Sequence, residues 1–143
     1  MRSARLIICE KSGKWAFALG EIVASPPPEI CETRSLAEAR ARLQESPASV
    51  LAMECSAENW LDLCRWLPRQ IRDFSRARVV VMADPDMRSV ECVLRTAGAH
   101  QVVFSLVSLL GMARWIARHF EQVPQPEESD REWTWGRMPW SPR

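Results

Sequence analysis

Lysine is almost absent. Lys11 and Lys14 are the only two, and arginine supplies the rest of the 19 basic residues, set against 18 acidic ones. The formal net charge of +1 provides no bulk field to hold nucleic acid or an anionic membrane. No apolar run approaches the roughly 18 residues that a membrane span needs. The N-terminus lacks the hydrophobic region of a secretory signal, so the expected location is the cytoplasm. Glycine is scarce, with five in the chain. Lys11-Ser-Gly-Lys14 therefore reads as solvated loop and helix cap, because a phosphate-binding loop needs several glycines to expose its backbone N–H groups. The five cysteines, Cys9, Cys31, Cys55, Cys64 and Cys92, show no CxxC spacing. An odd count without that spacing excludes an orderly disulfide framework and argues against a zinc site. They read as small buried hydrophobes in a reducing compartment.

What the chain does have is apolar material, 47% of 143 residues, enough for one domain with a core. The central stretch is Arg78-Val-Val-Val-Met-Ala-Asp84. It does not alternate, so it predicts a strand buried on both faces of a parallel sheet. Asp84 and Pro85 then suit the start of a helix with Val90, Val93, Leu94 and Ala97 on one face. The same unit recurs. Predicted strands cover 5–10, 29–33, 49–53 and 101–104, the second polar at its ends like an edge strand. Between them lie helical patterns. Ser12 is a candidate cap for the first helix, with Trp15, Leu19, Ile22 and Val23 inward. Ser35 and Glu38 form a capping box for the second. The third runs from Trp60 to Phe74, with Pro68 expected to kink or split it. The last is capped by Ser105 or Ser108, with Leu106, Leu109, Leu110, Ala113, Ile116, Ala117 and Phe120 as its apolar face. Strands alternating with helices predict an α/β doubly wound sheet with three layers. The domain covers residues 3–122. Residues 123–143 form a separate tail that carries four prolines, a run of acids and Trp133, Trp135 and Trp140.

Sites in such sheets form at the carboxyl ends of the strands, here Cys9-Glu10, Thr33, Met53-Glu54, Ala83-Asp84 and Phe104-Ser105. Leu6-Ile-Ile-Cys-Glu10, Thr33-Arg-Ser-Leu-Ala-Glu-Ala-Arg40 and Arg95-Thr-Ala-Gly-Ala-His100, in this order of elements, resemble the receiver domain of two-component response regulators. The resemblance runs from Arg5 to about Gln122. It implies a flavodoxin-like parallel sheet of five strands in the order 2-1-3-4-5. It also implies a phosphorylated aspartate at the end of the third strand and an acidic pair that binds Mg²⁺. A hydroxyl would end the fourth strand, and Lys-Pro the fifth. Carried over residue by residue, that pattern is broken. The acidic pair falls on Cys9 and Glu10, the phosphoacceptor on Met53 with Glu54 its neighbour, the hydroxyl on Ala83, and Lys-Pro on Ser105-Leu106.

Mg²⁺ prefers an octahedron of oxygens with one or two carboxylates, and Glu10 alone is a poor anchor. Asp84 is expected to serve as a helix cap, and no lysine stands at a strand end. The expected function is a non-phosphorylatable pseudo-receiver that works as a protein-contact or signalling adaptor, with no turnover and no resident metal or cofactor. The alternative is a phosphorylatable or small metal-dependent α/β enzyme using Glu10 and Glu54. A Cys–His enzyme is disfavoured, since His100 precedes the fifth strand and His119 lies late in the last helix, where it reads as helix-end surface or interface. Arg65, Arg69, Arg72 and Arg76 line one face of the third helix, but Asp62 and Asp73 are interleaved, which favours a solvated or protein-binding face. Contact with a partner or a second copy is expected through the last helix and the tail. The candidates are Met112, Arg114, Trp115, Arg118, Trp133, Trp135 and Trp140.

Overall fold

The computed structural model describes residues 3–23 and 28–123. The tail, with Trp133, Trp135 and Trp140, lies outside the described residues. Five parallel strands, β1 (Leu6–Cys9), β2 (Ile30–Thr33), β3 (Val50–Cys55), β4 (Arg78–Ala83) and β5 (Gln101–Val103), pair in the order β2-β1-β3-β4-β5. The helices are α1 (Lys14–Ile22), α2 (Leu36–Glu45), α3 (Trp60–Asp73), α4 (Glu91–Ala97) and α5 (Leu106–Gln122). None of the described helices is long and apolar enough to cross a membrane.

Strand pleating sorts the core into two layers, because neighbouring residues point to opposite faces. Leu6, Ile8, Val50, Ala52, Val80, Met82 and Val103 face α1 and α5, meeting Trp15, Leu19, Leu109, Met112 and Ile116. Ile7, Cys9, Leu51, Met53, Cys55, Val79, Val81 and Ala83 face the other way, toward Ala39 and Leu43 of α2, Leu63 and Leu67 of α3 and Leu94 of α4. Burial on both faces is why the strands read as continuous apolar runs. Each fully buried Leu or Ile contributes about 1.5–3 kcal/mol over its exposed state.

Several local expectations needed correction. β3 runs to Cys55, two residues into the stretch read as a polar loop. Pro68 does not split α3; the residue bound to lose its N–H partner simply lies within one continuous helix. The helix after β4 starts as a 3-10 turn, Pro85–Val90, that buries Met87, while Val93 is exposed. Cys92 is also exposed, unlike Cys9 and Cys55, and all five thiols are free. On α5 the buried row is Leu109, Met112, Ala113, Ile116 and His119, leaving Leu106 and Leu110 outside. The capping box of α2 is present in a shifted form. Glu38 N–H donates to Ser35 Oγ, and Glu38 accepts from Arg34 N–H.

The amino end of the sheet is held by polar groups. Arg5, 3% exposed, donates to Ser46 Oγ at 3.1 Å and to Glu45 Oε2 at 2.7 Å, and its N–H donates to Ser49 Oγ. This ties β1 to the segment entering β3. His119 Nε2 lies 2.7 Å from the Ala48 carbonyl, so that side chain is a buried support and not the surface group its late position implied. His100 N–H donates to the Val79 carbonyl while Val79 N–H donates back to His100 Nδ1 at 3.0 Å. Burial pushes both imidazoles below the usual histidine range, and the Arg78 charge adds to the effect.

Candidate functional site

Chain order reverses between β1 and β3: β2 lies on one side of β1, and β3, β4 and β5 extend on the other. At such a switch the loops diverge and leave a crevice at the carboxyl ends. A cleft of about 260 Å³ lies there, bordered by Cys9, Glu10, Lys11, Arg34, Met53 and Glu54 at the strand ends and by Glu58 and Asp62 beyond them.

The ladder register decides which acids meet. Leu6 pairs with Val50 and Ile8 with Ala52. Continuing that face brings Glu10 to the level of Glu54, which itself pairs with Met82 of β4. Asp84 follows two residues after Met82 on the same parity. Glu10 and Asp84 both act on the Glu54 carboxyl. Cys9 and Met53 point to the opposite face and belong to the core beneath α2 and α3. Met53, where the receiver resemblance placed the phosphoacceptor, is 1% exposed. The acid that the third strand does present is Glu54.

Glu10 is 3% exposed, and both of its carboxylate oxygens are in use. Trp15 N–H donates to Oε2 at 2.9 Å and Ala16 N–H donates to Oε1 at 2.8 Å. The first turn of a helix has no internal acceptor for these N–H groups, and its dipole favours an anion. Gly13 at the N-cap has φ +82 and makes no side-chain cap bond; Ser12 Oγ accepts from Lys14 N–H at 3.4 Å, in keeping with its expected capping role, and Glu10 takes the next two N–H groups. The Glu10 backbone is held too: Arg34 Nη1 donates to its carbonyl at 2.9 Å. Thr33 Oγ1–H donates to the Ile8 carbonyl at 3.1 Å, closing the edge of β2 onto β1.

Burial pushes the Glu54 carboxyl up from the usual carboxylate range, the nearby Glu10 and Asp84 carboxylates push it further, and Lys11 and Lys14 partly offset them. Asn59 fixes the turn beyond, accepting from Ser56 N–H at 2.7 Å and donating to the Glu54 carbonyl at 2.9 Å. Asp84 is exposed and makes no side-chain cap bond. The expectation that capping would occupy its carboxylate is therefore corrected, since only its carbonyl takes part, accepting from Met87 N–H. Burial likewise raises the Cys9 thiol, with Glu38 and Glu54 adding to it against Thr33 and Arg34.

Cys9, Glu10, Met53 and Glu54 thus share one cleft, while Ala83 and Ser105 do not border it. Ser105 is an N-cap, accepting from Ser108 N–H at 3.3 Å. Two cations of the cleft carry no sequence signal of their own. Lys11 reads as loop, although it directly follows the first strand's acid. Arg34 directly follows Thr33 at the end of β2. Four carboxylates, Glu10, Glu54, Glu58 and Asp62, face these two cations. Among the described residues no group of three His, Cys, Asp or Glu side chains is disposed to hold a metal ion.

The interface candidates separate. Met112 is core, 2% exposed. Trp115 is half-buried with its ring 6.1 Å from that of His100. Arg114 and Arg118 are exposed. On α3, Arg69 and Arg72 share Asp73 with Arg40 of α2, which makes much of the arginine row an ion-pair network.

No protein-family model and no curated protein matches the chain. Solved structures do. A CheY-like protein, tadZ, from Pseudomonas aeruginosa superposes with a TM-score of 0.65 at 18% identity, covering 79% of this chain and 98% of that one. A response regulator from Thermotoga maritima gives 0.67 at 14% identity, over 82% and 99%. A protein described as pilus assembly-related, from Burkholderia pseudomallei, gives 0.63 at 10% identity, over 81% and 90%. At such identities the likeness shows the fold alone. The chain has the CheY-like, flavodoxin-like fold, with the sheet order expected from its sequence.

Proposed function

We propose that this protein is a receiver-like signalling module that acts by protein contact and does not pass through an aspartyl phosphate. The observation that carries the reading is the state of Glu10. An acid serving a Mg²⁺ site must aim an oxygen lone pair at the ion in near-octahedral geometry, an orientation that other fixed hydrogen bonds oppose. Both Glu10 oxygens instead accept helix N–H groups. Met53, at the position the resemblance assigns to phosphorylation, has no nucleophilic oxygen and is 1% exposed at the floor of the cleft. Glu54 remains as the acid beside the cleft, and its raised pKa reflects an anion poorly compensated where it stands. The working surface we assign to the outer face of α5, for a protein partner or a second copy.

The test is incubation of the full chain with acetyl phosphate and Mg²⁺, followed by intact mass measurement. The reading expects no phosphoryl adduct. An adduct that disappears in Glu54→Gln would replace it with the alternative, a phosphorylatable site built on Glu10 and Glu54.

A further inference from the structure

Helix α5 carries an outer row that the domain leaves uncovered. Leu106, Leu110, Arg114 and Arg118 are spaced four apart and form one ridge that winds about a third of a turn round the helix. Leu106 is 53% exposed, Leu110 58%, and Val107 beside them 82%. The row is apolar toward the amino end of α5 and cationic toward its carboxyl end. Among the described residues, neither Arg114 nor Arg118 has an ion-pair partner. Leu106, Val107 and Leu110 are adjacent, so together they form an apolar patch that a contact could cover.

The chain that follows α5 matches this row in reverse. Pro124 and Pro126 come directly after it, then the acids Glu127, Glu128 and Asp130, then Trp133 and Trp135. A segment that turns back along α5 meets Arg118 and Arg114 first and Leu110 and Leu106 last. Its own order, acids then tryptophans, is the complementary one. The lengths agree. At about 1.5 Å per helical residue, Arg118 and Arg114 lie about 6 and 12 Å back from Gln122, and Leu110 and Leu106 about 18 and 24 Å. The roughly ten residues from Val123 to Trp133 reach up to about 33 Å when extended, which leaves slack for the reversal at the prolines.

We propose that residues 124–143 dock in cis on the outer row of α5, with Glu127, Glu128 and Asp130 against Arg118 and Arg114 and Trp133 and Trp135 over Leu110 and Leu106. The tail then covers the exposed Leu106 and Leu110. Docking on one's own helix does not lose the translational freedom that association with a second molecule does. The inference concerns which surface is presented, and it stands whether or not the strand-end cleft takes a phosphoryl group.

The experiment uses the full chain, with labelled leucine and valine methyls and labelled indole nitrogens. Nuclear Overhauser contacts are recorded over a concentration series, with mass per particle measured by sedimentation. Contacts from the tail indoles to the Leu110 and Leu106 methyls, at every concentration and at monomer mass, are expected. They should vanish in a Trp133→Ala, Trp135→Ala variant and weaken in Arg114→Glu, Arg118→Glu. Adding Glu127→Arg and Glu128→Arg to the latter should restore them. Unchanged methyl signals from Leu6 and Leu51 report that each variant is folded. Absence of the contacts, contacts on another face, or contacts that appear only with dimer mass would each overturn docking in cis.

Discussion

Replacing Glu10 by alanine separates two accounts of the strand-end acids by the sign of the result. If Glu10 belonged to a set of carboxylates held together for a cation, removing it would relieve repulsion at Glu54 and Asp84, and the metal-free protein would gain stability. In the structure Glu10 anchors α1. Its loss removes two charge-assisted hydrogen bonds, to Trp15 and Ala16 N–H, at the dipole end of a helix whose N-cap supplies no side-chain acceptor. Hydrogen bonds to a charged group contribute about 1.5–3 kcal/mol each, and a typical N-cap about 1 kcal/mol. Water can enter at Ala16, which is only partly buried, and the relief at Glu54 acts in the other direction. The expected net effect of Glu10→Ala is a loss of about 2–3 kcal/mol. Urea unfolding at neutral pH without divalent ions reads it as a lower midpoint at unchanged slope. Glu10→Gln, which keeps one acceptor, should lose roughly half as much. A midpoint equal to or above that of the parent would refute the anchoring role and, with it, the main argument against a cation site.

Other positions make independent predictions. Glu54→Gln should raise stability at neutral pH by up to about 1 kcal/mol, because the carboxyl there is held above its ordinary range. A raised carboxyl pKa means the native state keeps its proton longer, so the parent's stability at Glu54 falls as pH rises through that window, and the variant should lack that slope in urea midpoints. The two histidines have the opposite sign. Their lowered values mean that their contribution is fully present above the ordinary histidine range and is lost as pH falls through the folded-state values, as unfolded chains take up protons first. Proton-resonance titration of His100 and His119 should find both midpoints below that of a free imidazole. Gly98→Ala should cost about 1–3 kcal/mol, since φ is +131 and a Cβ would stand 2.7 Å from Ile71 Cγ1. Thermal unfolding measures it, and an unchanged midpoint would mean that the α4 terminus relaxes freely.

The fold was legible because the inner strands β1, β3 and β4 are buried on both sides. Runs such as Val79-Val-Val-Met82 have no other economical use in a chain of this size, and the order of strands followed from resemblance. The site was less legible, for a reason of parity. Element ends are uncertain by a residue or two, and in a strand one residue exchanges faces. Ending β3 at Met53 left Glu54 in a loop; ending it at Cys55 places Glu54 on the face of Glu10. Asp84 looked like a cap from its place before Pro85, and only the geometry frees its side chain. On α5 the apolar residues exceed what one face can bury, so two rows, one through Leu106 and Leu110 and one through Leu109, Met112 and Ile116, fit the periodicity equally. The sheet takes the second, which moved Met112 inside and left the first row outside. His119 was misplaced for a related reason: its partner, the Ala48 carbonyl, is 71 residues distant in sequence, and no local pattern announces it.

The function of the strand-end cleft depends on whether it accepts a cation and a phosphoryl group. Amide resonances of the full chain, followed through additions of Mg²⁺ alone and then Mg²⁺ with acetyl phosphate, test this most directly. The expected result is no saturable shift at Glu10, Lys11, Glu54 or Asp84, and no change of the Trp15 and Ala16 amides that hold the Glu10 carboxylate. A saturable Mg²⁺ response at these residues, followed by a second set of shifts on adding acetyl phosphate, would contradict it.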